Sequence, residues 1–186
     1  MKKTRLTLLL LSLGMVFAVN SGFNIHAAYD FTNKIDATLS GVDYAYNYHE
    51  GSPGIGLGYA FTTAGIGFSI DGTYFADKTV DSYTVLGITI PNSDPKPKIS
   101  QTVVQLNAEL PVTDMLSIHG GINYPFFNFS NTTATATGTI GYQIGATLAL
   151  SFMSLDATYQ VLNANATSSS GTFTENGIVV AGKLAL

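Results

Sequence analysis

The sequence predicts an all-β fold: an eight-stranded antiparallel up-and-down barrel that crosses a membrane. Three observations predict this fold. Apolar and polar residues alternate with the two-residue period of β-strands, only 11% of the residues are charged, and short and long connections follow one another in turn. A soluble sheet would show a charged face to water. A closed barrel with an apolar outside satisfies all its backbone groups in lipid.

The alternation is clearest in residues 100–127, which form a predicted antiparallel pair of strands. Apolar side chains occupy even positions from Val104 to Leu110, and even positions again from Leu116 to Phe126. Between them, proline and aspartate in residues 111–114 favour a turn. The opposite face carries amides, a carboxylate and an imidazole. One face therefore suits lipid, and the other suits a packed polar lumen.

The same alternation predicts six more strands. In the first of them the apolar positions change from odd to even at Gly41, which we interpret as a β-bulge. Short turns follow the even-numbered strands and longer loops follow the odd-numbered ones, as is typical of membrane barrels. The eight strands are predicted over residues 35–48, 54–61, 66–74, 102–110, 116–127, 139–148, 155–161 and 178–186.

Three polar connections are predicted to form the external loops: residues 76–99, 128–136 and 163–172. The first is the longest and contains three prolines. Its middle, residues 83–90, has enough β-branched residues for a strand that extends beyond the membrane. A mobile loop is the alternative.

The N-terminus has the pattern of a secretory signal peptide. A basic stretch (Lys2, Lys3 and Arg5) precedes the apolar run Leu6 to Val19. This run of 14 residues is shorter than the roughly 20 that a membrane-spanning helix needs, so a retained anchor is the weaker alternative. We expect cleavage after Ala27. The predicted domains are therefore a signal peptide, residues 1–27, and an outer-membrane barrel, residues 28–186.

The charge of the exported chain excludes some partners. From residue 28 onward there are five lysines, no arginine and twelve acids, a net charge of −7. A nucleic-acid-binding protein would carry the opposite charge, so no nucleic-acid partner is expected. The chain has no cysteine, so disulfide bonds cannot stabilise it.

Several segments resemble the OmpA-like and opacity-protein family of small outer-membrane barrels. They are LSIHGGINY at residues 116–124, GYQIGA at 141–146 and LDATY at 155–159. The resemblance implies a bacterial outer-membrane location and external loops that carry function. The chain departs from the family at Leu186, where members commonly end in an aromatic residue, and in lacking the arginine–carboxylate networks of the best-known interiors.

Two groups of residues are the candidate sites. The first is a polar network in the lumen, interpreted as structural filling, with a proton-linked site as the alternative; in it Lys183 would lie between Asp156 and Asp36 across the seam of the barrel. The second is an aromatic girdle at the two membrane interfaces. The network comprises Asp36, Asp71, Glu109, His119, Asp156 and Lys183; the girdle comprises Tyr46, Tyr48, Tyr74, Tyr124, Phe126, Phe61 and Phe152.

The sequence predicts a structural or surface-display role, as an adhesin or antigen, without chemistry of its own. The expected partners are outer-membrane lipid and a host or cell-surface ligand of the loops. No cofactor is expected, and no metal, because the histidines and acids lack metal-ligand spacing. A narrow porin-like channel is the first alternative. A lipid-modifying enzyme is the second, disfavoured because Ser117 and His119 both point inward. A soluble lipocalin-like barrel ranks last, and the oligomeric state stays open.

Overall fold

A computed structural model describes residues 22–167 and 170–186. This part of the chain forms eleven β-strands in one antiparallel sheet. No helix in these residues is long and apolar enough to cross a membrane. The strands are β1 Gly22–Asp30, β2 Lys34–Leu39, β3 Val42–Tyr48, β4 Ser52–Thr63, β5 Ile66–Val85, β6 Ile88–Pro91, β7 Lys98–Pro111, β8 Leu116–Ser130, β9 Ala136–Ala149, β10 Met153–Ala166 and β11 Gly171–Ala185.

Eight of these strands close into a ring, which confirms the predicted fold class. Around the ring the order is β1, β4, β5, β7, β8, β9, β10 and β11, and β11 pairs with β1 to close it. Tight connections join β4 to β5, β7 to β8 and β9 to β10 at one end, the turn end. The other, the loop end, carries β2, β3 and β6.

The predicted first strand, residues 35–48, is instead a hairpin. Strands β2 and β3 pair with each other through a turn at Ser40 and Gly41, whose φ angles are 51° and 80°. Two successive residues with positive φ make the tight turn that suits a hairpin. The change of apolar phase at Gly41 therefore marks a reversal of the chain, and the predicted bulge is wrong.

The β2–β3 hairpin extends the barrel wall beyond β1 and β4. At the loop end β2 pairs with residues 171–175 of β11, and β3 pairs with residues 80–85 of β5. Nearer the turn end the same gap between β11 and β5 is filled by β1 and β4. The ring therefore keeps eight strands at both levels while its members change.

Strand β1 lies where the sequence predicts the end of the signal peptide. Residues 24–30 pair with β11, and residues 22–30 pair with β4. Among the described residues the barrel thus begins at Gly22, and the predicted domain boundary at residue 28 divides this strand. Cleavage after Ala27 stays a prediction, and it conflicts with this pairing because it would remove most of the strand that closes the ring.

The predicted strand extension within residues 83–90 is confirmed. Strand β5 continues to Val85, turns at Leu86 and Gly87, and returns as β6, which pairs with residues 82–85. The mobile-loop alternative is wrong for this segment.

The two faces of the wall differ as the alternation predicts. Outward side chains are apolar and exposed, for example Ile55 (70%), Ile140 (68%) and Ile144 (64%). The inward residues next to these three are small or polar, and they are buried or half-buried. Because the apolar exposed side chains come from all eight ring strands, they form a belt around the barrel.

Candidate functional site

The lumen is filled by side chains in successive layers, and these layers are the candidate site. From the loop end, an apolar layer is followed by an ion cluster, a second apolar layer and a layer of amides. A group of histidines, acids and one lysine lies nearest the turn end. Each layer draws side chains from several strands because inward positions recur every second residue on each strand.

The ion cluster consists of Lys78, Asp30 and Glu175. Lys78 Nζ lies 2.5 Å from Asp30 Oδ2 and 2.7 Å from Glu175 Oε1. The three side chains are 2%, 0% and 1% exposed. One cation therefore bridges two carboxylates in the interior, and the cluster has a formal charge of −1.

All four carboxylate oxygens of this cluster have hydrogen-bond donors. Gln101 Nε2 donates to Asp30 Oδ2 (3.2 Å) and to Glu175 Oε1 (3.1 Å). The Tyr48 hydroxyl donates to Glu175 Oε2 (2.8 Å), and the Thr32 amide donates to Asp30 Oδ1 (2.9 Å). Buried charges are tolerated when their remaining lone pairs are satisfied in this way.

A register shift in β5 turns Lys78 inward. The pairing of β5 with β7 slips between Phe75 and Lys78. Inward positions are odd up to Phe75 and even from Lys78 to Val80. In a strand of unbroken period, Lys78 would point outward. The bulge therefore turns the Lys78 side chain inward, toward the two acids.

Apolar side chains lie on both sides of the ion cluster. Toward the loop end, Tyr48 packs in a buried group with Ile35, Ala37, Val80, Ile99, Ala164 and Phe173. Toward the turn end, Phe75 packs with Val103, Leu162 and Val179. The loop half of the lumen is therefore a hydrophobic core that encloses one ionic group.

Glutamine and asparagine side chains span the middle of the lumen. Gln105 Nε2 donates to Gln143 Oε1 (2.9 Å), and Gln143 Nε2 donates to Asn107 Oδ1 (2.5 Å). Asn123 Nδ2 donates to Gln143 Oε1 (3.3 Å), and Gln160 lies within reach of Gln105. The chain of amides links β7, β8, β9 and β10 across the barrel.

Five of the six residues predicted for the lumen network lie together near the turn end. His119 Nε2 is 2.9 Å from Asp156 Oδ2, which also accepts a hydrogen bond from Thr147. Lys183 Nζ is 3.6 Å from Asp71 Oδ2. Glu109 accepts a hydrogen bond from Ser117. A cavity of about 340 Å³ opens beside them and is lined by Asp71, Glu109 and Lys183.

Asp36, the sixth residue, lies elsewhere, so its predicted place beside Lys183 is wrong. It belongs to β2 at the loop end and is half exposed, and its carboxylate accepts a hydrogen bond from Lys34 (3.0 Å). Across the closing seam Lys183 pairs instead with His26 of β1. The hairpin reversal at Gly41 explains the difference, because it moves β2 away from the turn end.

His26 is a lumen residue that the sequence analysis placed in the signal peptide. It is 5% exposed, and its Nε2 lies 2.8 Å from Thr73 Oγ1. The signal was present in the sequence: Phe23, Ile25, Ala27 and Tyr29 alternate with polar or small residues in strand period.

Comparisons with known proteins bear on the fold. No family model matches the sequence, and no curated protein sequence matches it either. Among solved structures, Neisserial surface protein A (NspA) superposes with a TM-score of 0.57 at 15% identity, covering 89% of this chain and 98% of that one. This chain has the fold of the small outer-membrane barrels.

Two other outer-membrane proteins are similar at a lower level. OprG from Pseudomonas aeruginosa gives a TM-score of 0.49 at 14% identity, covering 89% of this chain and 97% of that one. Ail of Yersinia pestis gives a TM-score of 0.45 at 14% identity, covering 88% of this chain and 99% of that one.

The predicted girdle residues divide into two groups. Phe61, Tyr74, Phe126 and Phe152 are exposed on the outside of the barrel, and Tyr124 is half buried 5.1 Å from the Phe126 ring. The other two belong to the β2–β3 hairpin. Tyr48 lies inside the barrel and donates a hydrogen bond to Glu175, so its girdle assignment is wrong. Tyr46 is half buried and lines a cavity at the loop end. Aromatic residues outside the predicted girdle are also exposed: Phe23, Tyr29, Phe31, Tyr59, Tyr142 and Tyr159.

A small charged group lies on the loop-end hairpins, beyond the apolar belt. Asp81 Oδ1 lies 2.7 Å from Lys96 Nζ, and Asp81 Oδ2 lies 2.7 Å from His49 Nδ1. The hydrogen bonds from Lys96 and then His49 hold the pKa of the Asp81 carboxyl below its ordinary value. This group ties β5 to the connection between β6 and β7.

Proposed function

We propose that this protein is a bacterial outer-membrane scaffold that displays its loop end on the cell surface and has no chemistry of its own. The observation that carries the proposal is the filled lumen. A core of packed apolar side chains, a fully paired ion cluster and a layer of amides occupy the space that a pore would need. Such an interior gives rigidity rather than passage.

The outer surface supports a membrane location. Lipid offers no hydrogen bonds, so only closed sheets and helices span it. The barrel closes through β1 and β11, and its exposed belt is apolar. On this proposal the turn end faces the periplasm, and an export signal that ends before β1 precedes the barrel.

The loop end supports a display role. The β2–β3 hairpin and the β5–β6 hairpin continue the wall beyond the belt, and the exposed side chains at their tips include Leu86 (87%) and Ile88 (65%). A rigid wall beneath them would hold these tips in a fixed arrangement for a host or cell-surface ligand.

The arrangement of Ser117 and His119 favours a protein without catalytic activity. Both side chains are buried in the lumen. Ser117 donates to Glu109, and His119 lies against Asp156, so they do not form a nucleophile and base that lipid could reach. A lipid-modifying enzyme is the less favoured alternative.

Membrane fractionation combined with gel mobility tests the location. We expect the protein in the outer-membrane fraction, and we expect unheated protein to migrate differently from heated protein because a closed barrel resists detergent. Soluble periplasmic protein without such a shift would contradict the proposal.

Whole-cell binding tests the display role. Cells that express the protein should bind to host cells or matrix better than cells without it. Replacing residues 86–91 with a short Gly-Asn turn should remove that binding while the gel shift remains. The matched control replaces the turn residues 112–115 at the other end, which should leave binding unchanged.

A further inference from the structure

We infer that the loop end contains a binding site for a small uncharged apolar group, the size of a benzene ring or a short alkyl chain. The site is a cavity of about 140 Å³ above the ion cluster. Its walls come from the β2–β3 hairpin, β5, β7, β8, β10 and β11. The inference is independent of the display role proposed above.

The lining of this cavity selects the chemistry of the ligand. Its wall is made chiefly of the side chains of Ile35, Leu39, Val80, Ile99, Phe129 and Phe173. Among the residues described by the structure, none of those that line it is charged. Removing an ion from water without a partner is very unfavourable, so a charged ligand would not enter. An apolar group would be stabilised there, because its surface would be removed from water.

Few polar side chains line the cavity, and two of them already form hydrogen bonds within the protein. Asn92 Nδ2 donates to the Val80 carbonyl (3.0 Å), and Thr132 Oγ1 accepts a hydrogen bond from the Ala134 amide (3.2 Å). Asn92, Thr132 and Thr135 line the cavity and lie in the connections at the loop end. They can accommodate a polar end of a ligand whose apolar part lies inside.

The residues packed beneath the cavity lining make the cavity a binding site rather than a passage. The Tyr48 ring packs against Ile35 and Val80, and its hydroxyl donates a hydrogen bond to Glu175. Lys78 Nζ lies 4.8 Å from the centre of the Tyr48 ring. The ring thus separates the apolar walls from the buried ions. A ligand that moved farther would have to break the ion cluster.

The volume sets the size of the ligand. Apolar cavities of about 150 Å³ stay dry and bind benzene-sized molecules. The cavity here is similar in volume and opens toward the loops, so a longer chain could leave one end outside. The apolar group could belong to a free small molecule or to the end of an acyl chain of an outer-leaflet lipid.

The test is methyl NMR of the barrel in detergent-free lipid nanodiscs, with fluorobenzene as the probe. We expect saturable shifts at the methyl groups of Ile35 and Ile99, which line the cavity. Ile55 and Ile140, on the lipid face, report partitioning of the probe into the bilayer and should change only linearly. Shifts confined to Ile55 and Ile140, or no saturation at Ile35 and Ile99, would overturn the inference.

A filling variant makes the test specific. Ala166 lines the cavity, so Ala166→Phe should weaken fluorobenzene binding at least tenfold. Ala157→Phe, on the outward face of the same strand, should leave it unchanged. Ala134→Phe, in a connection, repeats the test should Ala166→Phe lose its gel shift. Equal affinity for all three variants and the unmodified chain would contradict the assignment.

Nanodiscs with and without lipopolysaccharide separate the two sources. If the acyl chain is the natural occupant, lipopolysaccharide alone should shift Ile35 and Ile99 and reduce the response to fluorobenzene. If a free molecule is the natural ligand, the response should be the same in both. Either result supports an apolar site and assigns its source.

Discussion

The two halves of the lumen handle buried charge in different ways. In the loop half, Lys78, Asp30 and Glu175 are fully enclosed by apolar layers, and each carboxylate oxygen has a donor. In the turn half, Lys183 is 21% exposed, lies 3.6 Å from Asp71 and borders a cavity of about 340 Å³. The two buried carboxylates are thus fully bonded where water is excluded, and the Lys183–Asp71 contact is looser where a cavity gives access to it.

This difference predicts where the barrel is most sensitive to mutation. Removing one partner from a sealed ion cluster leaves charge stranded in a low-dielectric interior. Removing one partner beside a cavity lets water replace part of what is lost. The following experiments are ordered from the largest expected effect to the smallest.

Strand β1 serves both halves, since it carries His26 in the turn half and Asp30 in the loop half. Deleting residues 22–27 should therefore abolish the heat-dependent gel shift altogether, because β4 and β11 would lose the strand between them. A chain that begins at Gly22 is the control and should keep the shift.

The same strand bears on the processing site. N-terminal sequencing of the mature protein should give a start at or before Gly22, because a closed ring needs the whole of β1. A mature chain that starts at Ala28 and still shows the gel shift would contradict the place that the structure gives to residues 22–27.

In the loop half, Lys78→Met should lower the free energy of unfolding by about 3–5 kcal/mol, the usual effect of breaking a buried ion pair. Denaturant titration of the barrel in lipid vesicles measures it. Lys34→Met is the matched control: Lys34 pairs with Asp36 at the surface, where side chains are 51% and 44% exposed. Its removal should change stability by about 0–1 kcal/mol.

In the turn half, Lys183→Met should have a smaller effect, about 1–3 kcal/mol, because it removes a partner of Asp71 next to a cavity. The same titration gives the comparison directly. If Lys183→Met destabilised the barrel as much as Lys78→Met, the contrast between a sealed half and an accessible half would not stand. An unchanged unfolding curve would remove the structural role of Lys183.

The smallest effect is expected at the surface, in the group around Asp81. The pKa of this carboxyl is lowered in the folded protein, so its interactions are present above the ordinary range of an aspartate and are lost as the pH falls through the lowered value. Proteolysis of the β6–β7 connection should therefore become faster as the pH falls below the ordinary range of an aspartate. Asp81→Asn should show the faster cleavage at neutral pH and no further pH dependence from this group. Cleavage equally slow in Asp81→Asn and the unmodified protein would contradict the role of the group.

Much of the wall could be predicted because lipid imposes a simple pattern. Strands β4, β7, β8, β9 and the first half of β10 lie close to the predicted segments, and their outward series is apolar as expected. Alternation survives in these strands because one face must be apolar throughout.

The sealed half could not be predicted in the same way. Lys78 lies in a segment interpreted as a loop, Asp30 precedes the first predicted strand, and Glu175 lies between the last loop and the last predicted strand. These three side chains come into contact because β5 contains a bulge and because β2 replaces β1 beside β11 at the loop end. Both features depend on pairing between strands that are distant in the sequence. Gly41 was a local signal of the hairpin, since glycine readily adopts the positive φ that a tight turn needs.

Single-channel recording in planar lipid bilayers tests the central claim, that packed layers fill the lumen. The folded barrel should give a stable baseline without current steps over a wide range of voltage. Lys78→Met, if it still folds, should make the baseline noisier because it loosens the sealed half. Regular steps of constant conductance from the unmodified protein would contradict the filled lumen and favour a narrow pore.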